Sequence, residues 1–295
     1  MTTPRSYRYR VLDVFTRVPL EGNPLAVFPD ARGIDDSTMQ RIAKELNLSE
    51  TVFVEEPTLA GCVKSLRIFT PAREMLFAGH PTVGGSYVLL DEGMVPKESE
   101  RFSVQEKIGP VAIRVENSDP LLIWLETPPI AFEKTFSASD CAQLLRLDAS
   151  DLLDATPQIV NAGNPTLLIA VHDKGAVDRA EFDAGALRGL DGGKSNPFCV
   201  FVFAPTEQGA YSRMFAPEYG VVEDPATGSS TGPLGAYMKR HGLLPRASVG
   251  RFVSEQGTKM GRRSLLHFEI AEGAGGDVIS VGGHVTPLVE AVMTL

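Results

Sequence analysis

The sequence predicts an α+β fold of two similar halves, each a strand-rich layer around one central helix. Three observations predict it. Landmark residues recur in the same order in both halves. Strand-like segments far outnumber helix-like ones. One helix-like segment per half is crowded with glycine and other small residues.

The recurrence comes first, because a missed repeat misleads every later assignment. Gly22-Asn23-Pro24 before LAVF returns as Gly163-Asn164-Pro165 before TLLIAV. Arg67-Ile68-Phe69-Thr70-Pro71 returns as Arg213-Met214-Phe215-Ala216-Pro217, and Gly79 returns as Gly228. The offsets are 141, 146 and 149 residues, and Gly93 and Gly242 are again 149 apart. One GNP match is an ordinary turn; several in order point to an internal duplication. Two such halves packing face to face would place a small-molecule site between them.

In the first half, YRYRVLDVF alternates and is rich in β-branched and aromatic residues, so it is expected as a strand, followed by LAVF. Asp35-Asp36-Ser37 supplies N-caps for a helix through TMQRIAKEL, where Met39, Ile42, Ala43 and Leu46 keep helical spacing. TVFVEE and VKSLRIFT are strands. PTVGGSYVLLDEG is the central helix, with Gly93 closing it. FSVQE, GPVAIRVE and LLIWLET are further strands. The second half echoes this with QIVNAG, TLLIAV, FCVFVFAP and YSRMFA as strands, and SSTGPLGAYMKRHG as the helix. RFVSEQG, LLHFEIA and VISVGGHV are late strands. Regular βαβ alternation is missing, which argues against a doubly wound parallel sheet. Gly84, Gly85 and Ser86 in one helix, and Gly232, Gly235 and Ala236 in the other, allow close enclosure by sheet. An interior glycine costs about 0.5–1 kcal/mol relative to alanine, so packing must offset it.

Composition narrows the function. The 295 residues carry a net charge of −9, which argues against nucleic acid or an anionic membrane as the main partner. Cys62, Cys141 and Cys199 are widely spaced and form no CxxC, so neither a disulfide framework nor a zinc knuckle is expected. The N-terminus lacks the apolar run of a signal peptide, and no stretch approaches the roughly 20 residues of a membrane span. A cytoplasmic protein is the expectation.

Each small-residue helix starts at a loop, FAGH in one half and EDPATGS in the other. The first N–H groups of a helix lack internal partners and the dipole is positive there. Two such ends at a domain interface would hold a carboxylate without lysine or arginine. Alternatively, Asp224, Thr227 and Ser229 are only N-caps. His80 lies at the first helix mouth, where a positive end favours the neutral imidazole; alternatively it is a solvent-facing cap. Asp224 follows Glu223 and precedes Pro225, and one of the two acids is expected to face solvent. Glu50 enters an apolar strand, where a carboxylate is paired or functional unless it sits on the exposed face. Two carboxylates and an imidazole suit general acid–base proton transfer. No metal-binding histidine spacing, phosphate loop, dinucleotide fingerprint or GxSxG elbow is present, so no metal and no cofactor is expected.

FTRVPLEGNPLAVF, ELNLSETVFV, RIFTPAREMLFAGHPTVG and SRMFAPEYGVVEDPATGSSTGPL together resemble the PhzF-like isomerase family of phenazine biosynthesis. The resemblance covers nearly the whole chain. It implies a diaminopimelate-epimerase-like fold of two pseudo-symmetric domains, each a curled mixed or antiparallel sheet around a central helix. The expected domains are residues 1–128 with 281–295, and residues 129–280. It further implies a homodimer, no cofactor and a small anionic substrate. By motif, Glu50 is the main acid–base group, with His80 and Asp224 beside it; Asn23, Gly79, Gly228 and Ser229 bind substrate. The family's phenazine enzyme converts trans-2,3-dihydro-3-hydroxyanthranilate, and a different small carboxylate, or binding without turnover, is the alternative. Two departures bear on the substrate: Met75-Leu76 stands where Leu-Pro is frequent, and TGSST where TGSA is frequent. The same fold hosts two-cysteine racemases, but no cysteine lies near either helix start here.

Overall fold

The alternation that marks the first strand also fixes which of its side chains go inside. The computed structural model describes residues 5–190, 198–245 and 249–295. These divide into two compact units, one running up to Glu126 and resuming at Val281–Leu295, the other Thr127–Ser280.

In chain order the first unit holds β1 (Ser6–Val14), β2 (Asn23–Phe28), α1 (Asp36–Leu46), β3 (Glu50–Glu55), β4 (Ser65–Phe69), α2 (Gly79–Asp91), β5 (Arg101–Glu106), β6 (Gly109–Glu116) and β7 (Leu122–Glu126). The second holds β8 (Ala131–Thr135), α3 (Ala138–Leu144), β9 (Gln158–Asn161), β10 (Pro165–Ala170), α4 (Lys174–Arg179), α5 (Ala184–Leu190), β11 (Cys199–Thr206), β12 (Gly209–Ala216), β13 (Val221–Asp224), α6 (Gly228–Arg240), β14 (Gly250–Gln256) and β15 (Ser264–Gly273). β16 (Gly276–Gly283) crosses the division, and β17 (Val285–Thr294) belongs to the first unit.

The two units repeat one pattern of strand pairing. β1 pairs antiparallel with β2, β2 parallel with β3, β3 antiparallel with β4, β4 parallel with β5, and β5 antiparallel with β6. β9 to β10, β10 to β11, β11 to β12, β12 to β14 and β14 to β15 repeat that alternation in the same order. Shared direction at five successive pairings gives the duplication a structural form: it is carried by strand order as well as by motifs.

Each sheet wraps a helix that is buried over most of its surface. In α2, Gly79 to Ser86 and Val88 to Leu90 are all buried; in α6 the same holds from Gly228 to Gly235 and at Tyr237 and Met238. α2 touches β1, β2, β3, β4, β7 and β17, and α6 touches β9, β10 and β15. Such contact on many sides is possible only where side chains are small. A Cβ added at Gly84 would lie 2.5 Å from Leu25 Cδ2 and 2.9 Å from Val14 Cγ2; one at Gly232 would lie 2.5 Å from Thr127 Oγ1. α1 is the opposite kind of helix. Asp35 caps it through Thr38 N–H at 3.0 Å, and only its Met39, Ile42 and Ala43 face is buried.

Several elements lie outside the sequence expectations. α3, α4 and α5 have six or seven residues, too few to show a helical period. β8 is exposed at all five positions and so shows no inward face. β17 carries Pro287, which cannot donate to a ladder. The register against β1 shifts between Val11 and Leu12, opposite Val289 and Pro287, so a bulge absorbs the proline.

The enclosure of α2 is testable. Gly84→Val should cost about 3 kcal/mol through overpacking against Leu25 and Val14, seen as a lower urea midpoint with an unchanged slope. An unchanged midpoint would show that the helix is not tightly enclosed.

Candidate active site

The first strand of LAVF begins one residue after Gly22, whose φ of +68° and a carbonyl 2.4 Å from any added Cβ demand glycine. That turn delivers Asn23 to the sheet interior, fully buried. Parallel pairing of β2 with β3 sets Leu25 opposite Glu50. α2 then starts with Gly79 and His80, and His80 is 3% exposed. It is therefore a buried imidazole, and the solvent-facing alternative is ruled out.

These three side chains meet. Asn23 Nδ2 lies 3.3 Å from His80 Nδ1, and His80 Nε2 lies 3.3 Å from Glu50 Oε2. An amide nitrogen only donates, so Nδ1 accepts and the ring proton of a neutral imidazole sits on Nε2, facing the carboxylate. Burial drives the His80 pKa down to about 3. The neutral state expected from the helix dipole is present, but desolvation is its cause. Glu50 keeps a side-chain exposure of 15%, so the carboxylate stands at the margin between the dry imidazole and water. Glu50 Oε2 itself is buried, and its 3.3 Å approach to His80 Nε2 is a close contact outside hydrogen-bond geometry.

The second unit builds the same kind of helix start with other side chains. Asp224, at the end of β13, is 6% exposed, and its Oδ2 accepts from Thr227 Oγ1 at 2.6 Å. Thr227 is the residue before α6, Gly228 opens the helix, and Ser229 follows, 7% exposed. Glu223 does not face solvent as one of the acidic pair was expected to. It forms a two-pronged ion pair with Arg213, Nε to Oε1 at 2.8 Å and Nη2 to Oε2 at 2.9 Å. Strand alternation then turns Asp224 inward. Arg67 and Glu74 repeat this clamp before α2, Nε to Oε1 at 2.8 Å. Thus Glu74 and Glu223 correspond, and so do Met75 and Asp224, Ala78 and Thr227, and His80 and Ser229.

Asn23, Glu50, His80 and Gly79 therefore gather at the start of α2, and Asp224, Gly228 and Ser229 at the start of α6. Two further residues escaped the sequence analysis. Gln256 Oε1 accepts the Thr227 N–H at 3.1 Å, while its Nε2 donates to Asp224 O at 2.7 Å and to Thr227 Oγ1 at 3.0 Å. Glu106 accepts the Ala78 N–H and contacts Thr82 Oγ1. A signal for both was present. RFSVQE at Arg101–Glu106 and RFVSEQ at Arg251–Gln256 lie 150 residues apart and end on Glu106 and Gln256.

Comparisons with known proteins bear on the family and the fold. The family described as "Phenazine biosynthesis-like protein" matches residues 12–291. The chain belongs to that family. It is 34% identical over 267 residues to the trans-2,3-dihydro-3-hydroxyanthranilate isomerase of Pseudomonas fluorescens, covering 90% of this chain and 91% of that one. A solved predicted epimerase from Pseudomonas aeruginosa is 32% identical with a TM-score of 0.81, covering 97% of this chain and 99% of that one. A Bacillus anthracis phenazine biosynthesis protein of the PhzF family has the same fold, with a TM-score of 0.88 at 23% identity, covering 99% and 100% of the two chains. The α+β, epimerase-like fold class holds, and the protein is an isomerase of this family. Among the described residues no helix is long and apolar enough to cross a membrane.

The neutral state of His80 has a sign that can be checked. An unfolded imidazole takes up a proton near pH 6.5, and the folded one only near 3. Stability contributed by neutral His80 is therefore complete above pH 6.5 and lost as pH falls through that window. In NMR titrations the His80 ring protons should stay flat from pH 8 to 5. A midpoint near 6.5 would show a solvated ring and contradict the buried pair.

Proposed function

We propose that this isomerase moves a proton on trans-2,3-dihydro-3-hydroxyanthranilate, with Glu50 as the acid–base group. The observation that carries the reading is the 3.3 Å approach of Glu50 Oε2 to the buried, neutral His80. Similarity to the Pseudomonas fluorescens isomerase supports the substrate. Glu50 takes the proton from C3 of the ring. The C3–H pair becomes the C3=C4 bond, the C4=C5 pair shifts to C5=C6, and the C6=C1 pair takes a proton at C1. The atoms balance with no redox partner, and the enol formed tautomerises to the ketone. His80, neutral and 3.3 Å from Glu50 Oε2, gives the carboxylate a polar neighbour that brings no charge of its own.

The substrate carboxylate binds at uncapped helix N–H groups. Neither Ala78 nor Thr227, the residues preceding α2 and α6, caps its own helix with a side-chain bond, which leaves first-turn N–H groups for a ligand. Asp224, Gly228 and Ser229 enter through the family resemblance, Asp224 as a further acid–base group and the other two as binding groups. A homodimer in the cytoplasm, working without a cofactor, completes the proposal. The resemblance supports the dimer, and the scattered free cysteines fit a reducing compartment. Met75 and Leu76 replace the frequent Leu-Pro just before α2; Met75 is buried and Leu76 is 54% exposed. That exposed leucine favours, as the second reading, a related cyclic carboxylate with a larger apolar face.

Incubation with trans-2,3-dihydro-3-hydroxyanthranilate, following ring absorbance, tests the substrate. Conversion that drops about 10²–10⁴-fold in Asp224→Asn is the expected outcome for an acid–base group. No conversion by the parent protein, with turnover of another cyclic carboxylate, would overturn the substrate and keep the chemistry.

A further inference from the structure

The helix starts are supported from below by a pair of side chains that the proton-transfer reading leaves unused. Glu106 ends β5 and Gln256 ends β14. Each strand pairs antiparallel with the next and parallel with an earlier one, β4 or β12. Each side chain is buried, Glu106 at 4% and Gln256 at 0% exposure. Each accepts the backbone N–H of the residue just before the central helix, Ala78 or Thr227.

We propose that Glu106 and Gln256 are matched positioning residues, each fixing the start of one central helix, and that Glu106 does so as an un-ionised carboxylic acid. This rests on the reading of the α2 start as part of the proton-transfer site.

The protonation state follows from counting hydrogens. Thr82 Oγ1 lies 2.6 Å from Ala78 O and also against Glu106 Oε1. A hydroxyl has one proton, and a carbonyl can only accept. With that proton given to Ala78 O, the second contact needs a proton from the carboxyl. Thr231 makes the matching bond to Thr227 O at 3.0 Å in α6. There the side chain in the place of Glu106 is Gln256, a neutral group with one acceptor oxygen and a donor beside it. Protonated Glu106 has that same inventory, whereas an ionised carboxylate has acceptors only.

The surroundings agree. The charged or titratable side chains of the neighbouring elements are His80, Tyr87 and Asp91 on α2, Glu50 and Glu55 on β3, Arg67 on β4, Glu74 in the segment before α2, Arg101 on β5, Lys107 beside Glu106, and Arg114 and Glu116 on β6. Arg67 and Lys107 are both engaged by Glu74, Arg114 by Glu116, and His80 approaches Glu50. None of them pairs with Glu106 among the described residues. Without a cation to hold its charge, burial raises the Glu106 pKa to about 8. Ionisation above that point would place a negative charge under the helix start that the substrate anion is to use.

The test compares Glu106→Gln, Glu106→Ala and Gln256→Ala with the parent. On trans-2,3-dihydro-3-hydroxyanthranilate, kcat/KM of the parent should fall as pH rises through about 8, and Glu106→Gln should keep parental activity at neutral pH while losing that alkaline limb. Glu106→Ala and Gln256→Ala should each lose roughly tenfold, the order expected for an orphaned buried N–H. Glu106→Gln as impaired as Glu106→Ala, or alanine variants as active as the parent, would overturn the proposal.

A second readout does not depend on the substrate. The unfolded carboxyl ionises near 4.5 and the folded one near 8, so the parent loses stability as pH rises across that window and Glu106→Gln does not. The melting temperature of Glu106→Gln minus that of the parent should therefore grow from pH 5 to 8 and then level off. A constant difference would overturn the proposal even if the protein turned over a different compound.

Discussion

Enclosing a helix in sheet removes water from its first turn, and this constraint shapes the rest of the molecule. Backbone N–H groups at a helix start have no internal partners and cannot be left dry without cost. The strands that wrap α2 and α6 must therefore supply polar side chains from their ends. Gln256 meets the N–H of Thr227 and the carbonyl of Asp224 in one stroke. Glu106 meets the N–H of Ala78. The glycines that allow the enclosure and the buried polar groups that make it tolerable are two consequences of one packing arrangement.

The duplicated scaffold has kept its supports and changed what they present. Arginine–glutamate clamps precede both central helices, Arg67 with Glu74 and Arg213 with Glu223. On that common frame, the first unit presents His80 and Met75 where the second presents Ser229 and Asp224. The carboxylate partner of His80 comes from β3, set beside β2 by parallel pairing. The frame holds Glu50 Oε2 3.3 Å from His80 Nε2, while Leu76, just before α2, stands exposed.

Much of this was legible in the sequence because the relevant signals are short-range. GNP, RIFTP and the small-residue helices mark a duplication by spacing alone. Strands such as YRYRVLDVF and FCVFVFAP show their type through alternation or apolar runs. Asn23, Glu50 and His80 could be picked out as polar residues set in apolar or glycine-rich surroundings, but only the fold puts Asn23 and Glu50 on either side of one imidazole. What stayed hidden depends on tertiary contacts. Glu106 looks like the polar end of an exposed strand until α2 covers it. The inward turn of Asp224 is set by the pairing of Glu223 with Arg213, ten residues away. β17 shows a proline and an outward apolar face, and its place is fixed by β1 rather than by its own pattern.

The central claim is that the Glu50 carboxylate is the base, poised against a dry, neutral imidazole. Glu50→Gln tests it most directly, because the amide keeps the shape and the approach to His80 while removing the proton acceptor. Turnover should fall about 10²–10⁴-fold, with substrate affinity by calorimetry nearly unchanged and the melting temperature close to that of the parent. Turnover of Glu50→Gln at the parent rate would contradict the claim and move the base elsewhere in the protein.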